Sequence, residues 1–305
     1  MSDLVSPITA SKSSRPTASP YGSAMLLGAA IIVWGANWPI MKVGLAHVSP
    51  LWMSAIRFAS GAACLFALQA VRRELALPKR ADIPLLASVG LLQMLAFTAL
   101  SAIALHRIGA GRSAVLAYTT PIWATPIAVL LFRERLSGRK SAGVALGVAG
   151  VVVLFNPLDI DWHNRGIVLA NLMLLAASLC WAVCILHLRH FRSASSAYAL
   201  APWQMAIAAV PLLILARFHE GQYSGDGSMT LAACLGFIGP LATAFCFCAV
   251  NAANTRMSSS SMATAMLGVP IVGLLASIAF LHEPITFSLM GSVILIVSGI
   301  ALSIA

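Results

Sequence analysis

Residues 117–137 read AYTTPIWATPIAVLLFRERLS, and residues 266–286 read MLGVPIVGLLASIAFLHEPIT. Laid over each other at a shift of 149 residues, they pair Pro121 with Pro270, Glu134 with Glu283, and Leu136-Ser137 with Ile285-Thr286. Without gaps, the same shift carries Ala104 onto Ala253, Arg107 onto Arg256, Ala114 onto Ala263 and Gly150 onto Gly299. Nearer the N-terminus a shift of 147 pairs Trp34 with Trp181, Lys42 with Arg189 and Ser49 with Ser196. An apolar chain supplies Ala and Leu matches by chance, but much less readily Trp, Arg, Pro and Glu in one order. The chain therefore reads as two tandem homologous halves.

Composition says what solvent those halves face. Of the 305 residues, 60% are hydrophobic and 9% charged, where a soluble domain carries roughly 25% charged residues to coat its surface. Lipid must be the solvent for most of this surface. The net charge of +10 does not point to nucleic acid. The basic residues lie in short clusters between apolar runs, without a stripe or interleaved aromatics, as cytoplasmic loops do under the positive-inside rule. The partners expected are the bilayer and a small-molecule substrate, with no nucleic acid. Cys64, Cys180, Cys184, Cys234, Cys246 and Cys248 all fall in apolar runs and read as small core or lipid-facing residues. Residues 1–21, rich in Ser, Thr, Ala and Pro, read as a disordered cytoplasmic tail. A cleaved signal peptide is not expected, because the first apolar run is too long and ends in Trp38, Pro39 and Lys42.

A spanning helix needs about 20 apolar residues. Such runs lie near 23–45, 50–71, 83–105, 110–132 and 141–157, then near 167–188, 197–218, 229–250, 258–281 and 286–305. The expected fold is all-α and membrane-integral, with ten transmembrane helices as two five-helix repeats, 22–157 and 158–305. The polar stretch with Asn156, Pro157, Asp159, Asp161 and Asn164 reads as the joining loop. With the N-terminus inside, 13 of the 19 Lys and Arg residues fall on the cytoplasmic side, five fall outside and Arg57 alone falls within a span. Both termini are then cytoplasmic. An odd span count per half gives the second half the opposite polarity. Inverted repeats of this kind are a transporter architecture, with the site near the midplane between the halves.

The candidate site residues follow from what lies mid-span. None of the nine acidic residues does, which argues against obligate proton or sodium coupling through a mid-membrane carboxylate. Glu134 and Glu283 each follow an apolar run. They read either as caps of the helix that follows, since a carboxylate is favoured near a helix N-terminus, or as a gating ion pair. Arg57 stands about two turns, roughly 10 Å, beyond Pro50. It either snorkels to the outer interface or serves a structural or substrate-carboxylate partner inside the bundle. The mid-span polar groups include Asn37, Gln93, Thr98, Ser101, Tyr118, Asn171, Gln204 and Thr243. Gln93, Phe97 and Ser101 share one face at four-residue spacing, as do Trp34 and Trp38 with Asn37 adjoining. Trp34, Asn37, Trp38, Gln93, Phe97, Tyr118, Trp123, Trp181 and Phe245 are the expected substrate-cavity wall. Helix packing, or an interfacial belt for the Trp residues, is the alternative. Pro121 and Pro270, at matching places in the halves, mark a candidate hinge. Gly143, Gly147 and Gly150 form a small-residue packing face. With no Walker motif, catalytic triad or metal-ligand spacing, neither an enzyme nor a cofactor is expected.

The chain resembles the drug/metabolite transporter superfamily, in its ten-span EamA-like branch, over about 22–305. The resemblance rests on Trp34-Gly35, on Pro50 with Arg57, and on Pro121 through Arg133-Glu134-Arg135-Leu136-Ser137 with Gly143 and Gly150. It rests equally on the echo, Pro270 through His282-Glu283-Pro284-Ile285-Thr286 with Gly291 and Gly299. It implies a cavity walled by the first, third, fourth, sixth, eighth and ninth spans, with the fifth and tenth peripheral. It also implies export of amino acids or other small metabolites by alternating access. The aromatic candidate wall favours apolar or aromatic amino acids; a broad-range drug exporter is the alternative within transport, and a membrane-embedded enzyme the alternative outside it. The chain is expected to act as a facilitator or exchanger.

Overall fold

The computed structural model of the chain describes residues 20–133, 137–154, 162–191, 193–254, 257, 262 and 265–304. The tail (1–19), Glu134, Arg135, the 156–161 part of the joining loop, Arg192 and Arg256 lie outside the described residues. The regular elements among the described residues are all helices, with no strand. In chain order the helices are α1 (Pro20–Gly44), α2 (Pro50–Val71), α3 (Arg80–Arg107), α4 (Ala110–Phe132) and α5 (Gly138–Leu154). There follow α6 (Arg165–His190), α7 (Ala197–His219), α8 (Met229–Ala253), α9 (Gly268–Leu281) and α10 (Phe287–Ile304).

Seven of these are long and apolar enough to cross a membrane, and α9 and α10 follow as shorter apolar helices. The helix α5 is in neither group. α5 holds 17 described residues, about 26 Å at the helical rise, slightly less than the roughly 30 Å of a hydrocarbon core. Large apolar side chains such as Leu130, Ile214, Phe218 and Phe280 point outward, while Asn37, Ser101, Asn171 and Gln204 are buried. That inversion suits a lipid surround, because buried polar groups need partners inside the bundle.

Local sequence sets the helix starts. Ser49 precedes Pro50, whose missing N–H costs nothing at the first helical position. Asn164, Ser196 and Ser228 each accept backbone N–H groups of α6, α7 and α8. Two features recur at the 149-residue shift. Ser88–Ala96 in α3 and Phe237–Phe245 in α8 are both wound as π-helix, and Arg133 and His282 both end their helices in the left-handed conformation, at φ 53°.

Packing follows a matched plan. α1 lies on α8 and α9, α3 on α6 and α7, α2 on α7 and α8, α4 on α6 and α9, and α5 on α10. Exchanging each helix for the one five places away leaves these neighbours unchanged. α5 and α10 meet backbone to backbone: a Cβ on Gly299 would stand 2.5 Å from the Gly143 carbonyl and 2.7 Å from the Gly147 nitrogen. This is the contact the glycine face of α5 makes.

Candidate functional site

The two ends of the bundle differ. At the end holding the α1–α2, α3–α4 and α7–α8 connections, polar groups tie the helices together. Glu283 accepts from the backbone N–H of Ala110 at 2.5 Å and of Gly111 at 2.9 Å. Lys42 donates to the Leu105 carbonyl at 2.6 Å and the Ile108 carbonyl at 2.8 Å. The corner between α3 and α4 is thus held from both sides, its carbonyls by a cation and its N–H groups by an anion, each at the helix end that suits it. Glu220 likewise takes the N–H groups of Leu51 and Trp52 and the Ser49 hydroxyl. In the α7–α8 connection, the Ser228 N–H and the His47 imidazole hold the Asp226 carboxyl down at about 2.

Glu283 therefore caps a helix, but not the one that follows it. The expectation of a cap on the next helix is corrected: the left-handed turn at His282 carries the carboxylate across to α4. Among the described residues its hydrogen-bond partners are the backbone N–H groups of Ala110 and Gly111.

At the other end, Asp82 accepts from Ser193, Ala194 and Ser195, and Gln69 donates to the Tyr198 carbonyl. Between these contacts the bundle is open. A vestibule of about 470 Å³ runs from the exposed Ser193 and Ala197 past Leu188 and Phe191 to Trp34, Gln93, Trp181 and Phe247. The same four side chains line an inner chamber of about 90 Å³, so the two spaces adjoin along these walls. The vestibule's volume falls in the range of small-molecule sites, roughly 300–1,000 Å³, and the inner chamber's falls below it.

Seven of the nine expected wall residues line the inner chamber: Trp34, Asn37, Trp38, Gln93, Phe97, Tyr118 and Trp181. Phe97 and Tyr118 both meet Trp181 edge-on, at 4.7 and 5.9 Å between ring centroids. The two others stand elsewhere. Trp123 donates its indole N–H to Ser178 at 2.8 Å, between α4 and α6. Phe245 is 37% exposed on the outer surface, and Phe247, roughly 200° further round α8, takes the inward place. Ser101, expected on one face with Gln93 and Phe97, lines the chamber, as do Thr98 and Thr243, noticed only as mid-span polar groups, and Met41, Phe58, Met94, Ala242 and Phe247, which the sequence reading missed. Met41 stands four residues after Asn37, the one spacing signal that pointed to it.

Arg57 resolves inward. Its Nε donates to Thr243 Oγ1 at 2.7 Å, and Nη1 to the Met41 sulfur at 3.4 Å. The second span thus belongs to the wall, which the family resemblance did not imply. The ninth contributes through Met266, just before α9, and only to the vestibule, while α5 and α10 line neither space among the described residues.

Both π stretches lie at the chamber. The first contains Gln93 and Met94; the second contains Ala242, whose carbonyl takes the Trp34 indole N–H at 2.7 Å, and Thr243. π-helical turns often mark functional sites. Pro121 sits in the first turn after a break at Tyr118-Thr119, and Pro270 is the third residue of α9 after the matching Leu267. Pro121 thus follows an interruption inside α4, whereas Pro270 lies in the first turn of α9.

The chain matches a family model, the EamA-like transporter family, twice: over residues 21–156 and again over 168–305. It is 26% identical over 272 residues to the uncharacterized transporter YoaV of Bacillus subtilis (strain 168), covering 88% of this chain and 92% of that one. It is 27% identical over 284 residues to a probable amino-acid metabolite efflux pump of Salmonella typhimurium, covering 90% and 92%. A solved crystal structure superposes with a TM-score of 0.64 at 23% identity, over 93% of this chain and 96% of its own, and so shares the fold.

Proposed function

This chain belongs to the EamA-like transporter family, and from that premise we propose that it exports small zwitterionic metabolites, amino acids with apolar or aromatic side chains first among them. It is a membrane transporter of small molecules; the ten-span count, the inverted halves 22–157 and 158–305, the direction and the substrate are the proposal. The matched helix neighbours, the paired π stretches and the paired left-handed helix ends all support two inverted repeats. The balance of Lys and Arg supports cytoplasmic termini in a bacterial inner membrane. On that orientation the vestibule faces the cytoplasm and the tied end faces out.

The observation that carries the reading is the chamber itself, reached from one end and closed by polar contacts at the other. That is one of the two states an alternating-access carrier must visit. The name of the Salmonella relative, an amino-acid metabolite efflux pump, supports the substrate class. The Phe97–Trp181–Tyr118 cluster also favours a second reading, a broad-range drug exporter. Pro121, Pro270, Glu134 and Glu283 remain the candidate hinge and gate.

The test is counterflow in proteoliposomes with a labelled amino-acid panel, competed by unlabelled amino acids and by cationic dyes. Amino-acid exchange resistant to the dyes supports the reading. Exchange blocked by dyes and indifferent to amino acids supports the drug exporter, and no exchange of any solute overturns both.

A further inference from the structure

Arg57 is a fixed positive charge on the wall of the inner chamber. Its guanidinium has five N–H donors and keeps its proton in any protein setting. Thr243 Oγ1 takes one donor and the Met41 sulfur, a weak acceptor, takes a second; the two donors of Nη2 meet no protein acceptor among the described residues. No Asp or Glu among the described residues forms an ion pair with it, and none lines either space. A charge at membrane depth normally faces a counter-charge or a water-filled cavity. Here the cavity is present and the protein's own counter-charge is not.

We propose that Arg57 is the carboxylate-recognising residue of the chamber, so that the transported solute carries a carboxylate and cations lacking one are turned away. This deepens the transport reading above and rests on it. Guanidinium and carboxylate are both planar and pair through two parallel hydrogen bonds, which the free Nη2 edge leaves available. Two neighbours suit the rest of a zwitterion. Asn37 Oδ1 and Ser101 Oγ are buried without hydrogen-bond partners among the described residues, and both side chains line the same chamber. Buried polar atoms of that kind are rare unless something else satisfies them, and a substrate amino group would. The acceptors are neutral, so an ammonium group alone finds no charge to pair with and feels the repulsion of Arg57. The charge is also offered once only, since Gln204 stands at the matching position of the second half.

The experiment uses the full chain, the Arg57→Gln and Thr243→Val variants, and phenylalanine, leucine and methionine each in four forms: free, N-acetylated, as the amide and as the decarboxylated amine. Binding is read by thermal shift in lipid nanodiscs and transport by counterflow in proteoliposomes. The free and N-acetylated acids should bind and compete, with the amides and amines at least about tenfold weaker. Arg57→Gln should weaken the free acids by about a hundredfold, level with their amides, whereas Thr243→Val, which keeps the guanidinium, should preserve the preference. Amides or amines matching the free acids in the unaltered protein overturn the inference, and need no variant that folds. So does an Arg57→Gln protein that keeps the acid preference, or a panel in which no acid binds. Acid-selective binding without counterflow leaves the inference standing and removes the transport reading; counterflow without acid preference does the reverse.

Discussion

Glu283 and Ala110 are 173 residues apart in sequence, yet the Glu283 carboxylate accepts the Ala110 N–H at 2.5 Å, bridging the end of α9 to the first turn of α4. The carboxylate meets the partial positive charge of a helix N-terminus, and Lys42 secures the adjoining carbonyls. Such a contact stabilises whichever state of the bundle keeps α1, α4 and α9 together.

Glu283→Gln should loosen that end by about 1 kcal/mol, since it removes the charge and one acceptor. In a background lacking the six native cysteines, Ser101→Cys reports access to the chamber. An impermeant thiol reagent applied at the tied face should label it several-fold faster when Glu283→Gln is added. Unchanged labelling would mean that the contact is ordinary packing.

Substitutions on the wall should separate from substitutions beside it. Gln93→Ala and Tyr118→Ala should impair transport at near-normal expression. Trp123→Phe forfeits its hydrogen bond to Ser178 and should lower stability by about 1 kcal/mol with transport retained. Phe245→Leu should leave both nearly unchanged. If the first pair alters stability alone, Gln93 and Tyr118 are packing residues.

How far the chain discloses this arrangement depends on the residue. Amides and aromatics amid aliphatic runs are visible by contrast, and Trp34, Asn37, Gln93 and Trp181 do meet at one chamber. Phe245 and Phe247 are equally aromatic and equally mid-span, and only the π winding that ends at Phe245 and the packing of α8 decide which one turns inward. Arg57 illustrates a different limit. Its depth follows from counting residues after Pro50, but its direction is set by Thr243, 186 positions away, and no local pattern carries that information. Glu283 was legible as a carboxylate for a helix N-terminus, and the identity of the helix was not, because the turn at His282 redirects it.

Asp226 supplies a pH dependence outside the spans. Its carboxyl titrates at about 2 in the folded chain, below the ordinary 3.8. A depressed value means that its contribution to stability is complete above the ordinary carboxylate range and disappears as pH falls through about 2. Asp226→Asn should therefore lower Tm by a constant amount above about pH 4, and the gap should close as pH falls toward 2. A gap that persists at pH 2 would assign the effect to something other than this carboxylate.

Coupling is predicted from where titratable groups stand. Asp82, Glu220, Asp226 and Glu283 sit at helix ends or in connections, and no carboxylate or histidine lines the chamber or vestibule among the described residues. A carrier without a proton-binding group at its site equilibrates its substrate down the substrate's own gradient. An imposed pH step with clamped voltage should drive no accumulation of a neutral zwitterion in proteoliposomes. Accumulation above equilibrium would contradict this and make Glu134, Glu283 and His187 the first residues to change.

The two π-wound stretches make these helices sensitive to count rather than to spelling. A turn closed i to i+5 holds one residue more than an α-turn, so each stretch sets the rotational phase of everything beyond it. A deletion within Ser88–Ala96 is absorbed when the wide turn closes as an α-turn, whereas deleting Phe97, in the α-wound part beyond it, would turn the rest of α3 by about 100°. Thr98 and Ser101 would swing off the chamber and apolar neighbours would swing in. The spacing between the π stretch and Ser101 is therefore as much a part of the site as the residues that line it.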